Sequence, residues 1–207
     1  MMIPVLDNWN IVLVGAWNTR IFNVVWLGEF IFPEIPTVNA AVSLVPSHLT
    51  KFMAEGIEII PTEERLLLRP TDISDKTLEL LENKAREILR LLSHTPVTAV
   101  GVNMTYRTDS PDADLLKVFA LNDDAKLVEN KLMRSSCSVS RAFTNNVGMI
   151  NLILTEAQGA VDLQFNFHYD VKNTEQVSSY LDARLVACKQ QSLEIAHAIY
   201  GLEPGEE

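Results

Sequence analysis

From Val161 to Val171 the chain alternates without a slip. Leu163, Phe165, Phe167 and Tyr169 fall on one parity, and Asp162, Gln164, Asn166, His168 and Asp170 on the other. A period of two predicts a β-strand with one apolar face. A tight turn at Gln158-Gly159 pairs this strand with its predecessor, setting Leu154 against Leu163, Leu152 against Phe165 and Ile150 against Phe167. A slip of one residue would oppose Leu154 to Gln164, so this register is favoured. A further hairpin turning at Asn145-Asn146 sets Val139 beside Leu152 and Cys137 beside Leu154. The apolar patch so formed is expected to receive the C-terminal helix. On the opposite face, Ser140, Asn151 and Asn166 share a row. Ser138, Ile153 and Gln164 form a second, and Ala142, Met149 and His168 a third. These residues are small and mostly uncharged, unlike an ordinary wet sheet face, and the expectation is a covered or binding surface.

Helical periodicity is clearest after Ser74, a good N-cap, with Asp75 suited to the helix dipole. Leu78, Leu81, Ala85, Ile88 and Leu92 recur at spacings of three and four, and Thr95-Pro96 ends the run. A last helix is predicted from about Thr174 to Tyr200, capped by Asn173 and stopped by Gly201 and Pro204. Val177, Leu181, Leu185, Cys188, Ile195 and Ile199 lie on its buried side. Near the start, NIVLVGAWNTRIFNVVWL predicts two strands joined at Asn18-Thr19, the first apolar on both faces and so covered on both. VNAAVSLV reads as a strand, PSHLTKFMAE as a short helix opening at Pro46, and GIEII with RLLLRP as a hairpin. VTAVGVNMTYRT follows as a strand, DSPDADLL as a flexible loop and NDDA as a turn. The fold expected is α+β, a single domain over 1–207. Its largely antiparallel sheet falls in two loosely similar halves, about 8–109 and 126–201, each with one long amphipathic helix on the apolar sheet face.

Composition fits a packed core: of 207 residues, 47% are hydrophobic and 21% charged. A net charge of −10 and no clustered Lys/Arg run argue against nucleic acid, whose backbone affinity needs cationic side chains. No apolar run reaches membrane-spanning length and the N-terminus lacks a basic, then apolar leader, so a cytoplasmic protein without a membrane partner is expected. Cys137 and Cys188, far apart and outside any paired motif, read as reduced core residues.

Candidate chemistry is sparse. His168 and Asp170 share a strand face about 7 Å apart, and the predicted cross-strand neighbour of His168 is Met149, so a surface or interface histidine is the simpler reading. His94, in SHTP, suits a helix C-terminus, and His48 and His197 have no metal-like neighbours. SSCSVS offers hydroxyls and a thiol without a nucleophile signature. Phosphate-cradling glycine motifs are absent from the sequence, and no cofactor or metal is expected. Arg107 shares its strand face with Asn103 and Thr105 and suits a carboxylate, either from a ligand or in a structural salt bridge. Trp9, Trp17 and Trp26 read as core or interface aromatics.

The segments VGAWNTRIF and LLSHTPVTAVGVN resemble a group of uncharacterised bacterial proteins. In that group G-x-[FW]-N opens the first hairpin and H-T-P with G-[IV]-N marks a helix-to-strand passage. The matching positions are Gly15, Trp17, Asn18, His94, Thr95, Pro96, Gly101 and Asn103, and Thr19 replaces the usual proline. The resemblance covers the first half and implies no activity. The expectation is therefore a non-enzymatic interaction or assembly protein, self-associating through sheet or hairpin surfaces. The alternative is a small-molecule binder or enzyme with a pocket on the polar face. Candidate ligand- or partner-binding residues are Asn103, Arg107, Ser140, Asn151, Asn166 and His168.

Overall fold

A computed structural model describes residues 1–41, 50–144 and 148–205. The fold is α+β, built on one ten-stranded antiparallel sheet. Its strands are β1 (Ile3–Pro4), β2 (Asn10–Gly15), β3 (Asn39–Ala41), β4 (Lys51–Ala54), β5 (Ile57–Pro61), β6 (Arg65–Pro70), β7 (Val97–Thr108), β8 (Ser136–Thr144), β9 (Met149–Ala157) and β10 (Ala160–Asp170). They run in the order β3-β4-β5-β6-β2-β7-β10-β9-β8, with the short β1 beside β7. The two halves meet in this one sheet. β7 pairs with β2 on one side and along nearly its whole length with β10 on the other.

The long helices α1 (Asp75–Leu91) and α3 (Arg184–Tyr200), with the short α2 (Thr174–Tyr180) between them in the chain, pack on a single face. Alternation explains which face: Ile11, Leu13, Val100, Val102, Met104, Leu152, Leu154, Leu163, Phe165 and Phe167 are all buried beneath them. Ser74 caps α1 as expected, accepting from Thr77 N–H at 3.3 Å. The predicted β9–β10 pairs Leu154–Leu163, Leu152–Phe165 and Ile150–Phe167 all form.

Several expectations require correction. The predicted second strand of the first half is helical, because the Asn23 side chain accepts from Val25 and Trp26 N–H at 3.1 and 3.0 Å and starts a helix. That path, through Leu27–Ile31, brings Leu27, Ile31 and Phe32 into the core. β2 is covered on one side only, with Val14 exposed. The expected helix from Pro46 is strand β4 at Lys51–Ala54; its start, with His48, lies outside the described residues. The DSPDADLL loop is helical from Ala113 to Leu116, capped by Asp112, and the NDDA turn opens a helix over Asp124–Glu129.

The C-terminal helix is also broken. Glu82 of α1, buried, accepts from the N–H groups of Arg184 and Leu185 at 2.8 and 2.9 Å, satisfying the start of α3. Ala183, at φ 52°, makes the left-handed step between α2 and α3. Beyond Cys188 the buried stripe runs through Ser192, Ala196 and Tyr200, leaving Ile199 exposed. Ser192 is tolerated there because its hydroxyl donates to the Lys189 carbonyl at 2.7 Å and meets the Tyr106 hydroxyl at 2.8 Å.

Candidate functional site

The face away from the helices carries one continuous amide row. Register places Asn10 of β2, Asn103 of β7, Asn166 of β10 and Asn151 of β9 side by side. Each amide donates toward β2: Asn151 Nδ2 to Asn166 Oδ1 at 3.0 Å, Asn166 Nδ2 to Asn103 Oδ1 at 2.7 Å, and Asn103 Nδ2 to Asn10 Oδ1 at 2.7 Å. Side chains of equal length on neighbouring strands reach one another at the sheet's own spacing. Gly101 keeps the row open, since a Cβ there would sit 3.2 Å from Asn166 Nδ2.

At the β2 end the row continues to Arg69, which donates to Glu58 at 3.3 Å and lies 3.7 Å from Asp7; its buried Nε has no hydrogen-bond partner among the described residues. At the β9 end it stops at Ala142 of β8. Along the row lies an open hollow of about 410 Å³, lined by Asn8, Asn10, Asn103, Asn151, Asn166, Thr105 and Gln164 with Ile153 and Phe165.

Of the six residues singled out, Asn103, Asn151 and Asn166 are brought together. Ser140 is not in their row. The β8–β9 register differs by two residues from that expected, pairing Val139 with Leu154 and Cys137 with Glu156. Ser140 therefore opposes Ile153, and the expected turn at Asn145-Asn146 lies outside the described residues. The corrected rows are Ser138–Thr155–Asp162, Ser140–Ile153–Gln164, Ala142–Asn151–Asn166 and Thr144–Met149–His168.

His168 sits one row away, beside Gly101 and Met149, and its Nε2 does reach Asp170 Oδ1, at 3.2 Å, by a favourable rotamer. Arg107, on the same face, is taken up by its own chain: Nε donates to Asp109 at 2.9 Å and Nη1 lies 3.8 Å from Asp162. Its guanidinium thus serves the structural salt bridge.

Asn10 escaped the sequence reading, because β2 was expected to pair within a local hairpin. Its signal is that it is the one polar side chain opening an otherwise apolar strand, level with Asn103 once β2 is laid on β7.

Burial pushes the Cys188 thiol up to about 12, suppressing the thiolate needed for attack. Among the described residues no three His, Cys, Asp or Glu side chains are grouped to hold a metal, and no helix is long and apolar enough to cross a membrane.

The segments carrying the resemblance prove to be neighbours. Ala16 N–H donates to the Pro96 carbonyl at 3.1 Å, and a Cβ on Gly15 would fall 2.5 Å from that same oxygen. Trp17 Nε1 donates to Leu13 O at 3.0 Å. These positions hold β2 against the entrance of β7. No protein-family model matches the chain, and neither does any curated protein.

Proposed function

We propose that this chain is a non-enzymatic assembly protein that self-associates through its sheet. The observation carrying this reading is that the amide row spends its hydrogen bonds on itself. A ligand site aims donors and acceptors into a cavity; this row aims its paired donors and acceptors along the sheet. Around it stand partly exposed apolar residues, Met149 and Ile153, with Val14 and Met53 farther along the same face. Small hydroxyl residues fill β8. The partner is a second copy of the chain. A net charge of −10 disfavours nucleic acid as an alternative. Two unpaired cysteines suit a reducing, cytoplasmic setting.

Light scattering on the full chain, from micromolar to near-millimolar concentration, tests this. The expected result is a mass that rises to a multiple of 23.2 kDa. A mass of one chain throughout would overturn it.

The hollow over Asn10, Asn103 and Asn166 supports a second reading, the binding of a small neutral polar molecule. That reading requires a ligand to compete for the amides, so the Asn103→Ala variant would lose binding in calorimetry while keeping its oligomeric state.

A further inference from the structure

One edge of the sheet, strand β8, names the surface through which two copies would meet, an inference that rests on the self-association reading. The β9–β10 turn has φ of 54° at Gln158 and 83° at Gly159, the signature of a two-residue type I′ hairpin. Its closing pair, Ala157 and Ala160, is then hydrogen-bonded, and alternate residues of β9 bond in opposite directions. Thr155, Ile153 and Asn151 bond β10. Glu156, Leu154, Leu152 and Ile150 bond β8 through Cys137, Val139, Arg141 and Phe143. The backbone N–H and C=O groups left facing outward belong to Ser136, Ser138, Ser140, Ala142 and Thr144, and all five residues are exposed.

Five residues of β8 turn outward backbone groups that have no partner among the described residues; such an edge invites another strand, and proteins usually guard it with lysine, proline or a bulge. β8 contains neither lysine nor proline, and its pairing with β9 runs without a bulge. Its one charge, Arg141, is held within its own chain, donating to the Tyr200 hydroxyl at 3.1 Å.

We infer that β8 pairs antiparallel with β8 of a second copy about a two-fold axis through Ser140. The edge is self-complementary in this register. Ser136 meets Thr144, Ser138 meets Ala142, and Ser140 meets itself. Every outward-facing residue then meets another outward-facing residue, as a hydrogen-bonded antiparallel pair demands. Side chains on the helix-free face are small enough not to clash. On the helix face Arg141 meets Val139, so no like charges oppose. A foreign strand would also fill the edge, but the coincidence of parity, size and charge about one residue argues for the chain's own copy.

Two variants test the pairing without touching the internal ladder. Ser140→Pro removes an outward N–H, leaving the bonds to β9, and edge strands tolerate proline there. Ser140→Lys sets two ammonium groups against each other on the axis. Circular dichroism and the melting temperature establish that each still folds.

With the wild type dimeric by light scattering, both folded variants are expected to show the mass of one chain. If the wild type is dimeric and both folded variants remain so, self-association stands and the edge pairing falls. If the wild type is a monomer, both fall together. A single chain that native mass spectrometry finds bound to a polypeptide of different mass, released by Ser140→Pro, assigns the edge to a foreign strand and overturns the second copy.

Discussion

Asn103 is the centre of the amide row, donating to Asn10 and accepting from Asn166. Replacing it with alanine strands an acceptor on one side and a donor on the other. The amides are half-buried and water can reach them, so Asn103→Ala should destabilise the fold by about 0.5–1.5 kcal/mol, read from urea unfolding midpoints. Gly15 is constrained by its neighbour rather than by its dihedrals: the carbonyl of Pro96 occupies the place of a side chain. Gly15→Ala forces β2 from β7 and should cost about 1–3 kcal/mol, visible as a lower melting temperature. At this scale alternation was a good guide, since Asn151 and Asn166 could be placed in one row by pairing apolar partners. Ser140 could not. Either β8 register leaves Val139 against a leucine, and Cys137, which meets Leu154 in the expected register and Glu156 in the observed one, favours the wrong choice.

Between elements, the contact of greatest consequence is Glu82 at the start of α3. A buried carboxylate accepting two backbone N–H groups joins the two long helices across the chain. Glu82→Ala leaves the buried Leu185 N–H and the half-buried Arg184 N–H without their acceptor and should lower stability by about 1–3 kcal/mol in urea melts. The break it supports was illegible, because neither proline nor glycine marks it and Ala183 takes the left-handed conformation unaided. The stripe of α3 was hidden for a related reason, with a serine standing on its core side.

The helix–sheet seam also carries a pH dependence. Burial raises the Cys188 thiol to about 12 and raises the Tyr106 and Tyr169 hydroxyls above their ordinary value. The unfolded chain releases these protons first as pH climbs. Stability is thus intact below the ordinary thiol range and falls above it, by about 1.4 kcal/mol per pH unit for each titrating group. Urea midpoints should drop between neutral pH and about pH 10.5, and an unchanged midpoint would contradict the burial of these groups.

For the whole molecule, the α+β class and the antiparallel pairing were legible because period-two and period-3.6 patterns are local. The joining of the halves was not. It depends on β7 lying between β2 and β10, a long-range choice that hydrophobic alternation alone does not make. The result is a sheet with helices on one face, an amide row on the other and an unguarded edge at β8.

Amide hydrogen exchange along β8, in dilute and in concentrated solution, tests that edge most directly. The N–H groups of Cys137, Val139, Arg141 and Phe143 face β9 and should be protected at both concentrations. Those of Ser138, Ser140 and Ala142 should exchange freely when dilute and slow markedly when concentrated, as a second β8 covers them. Fast exchange at these three positions at every concentration would contradict the account.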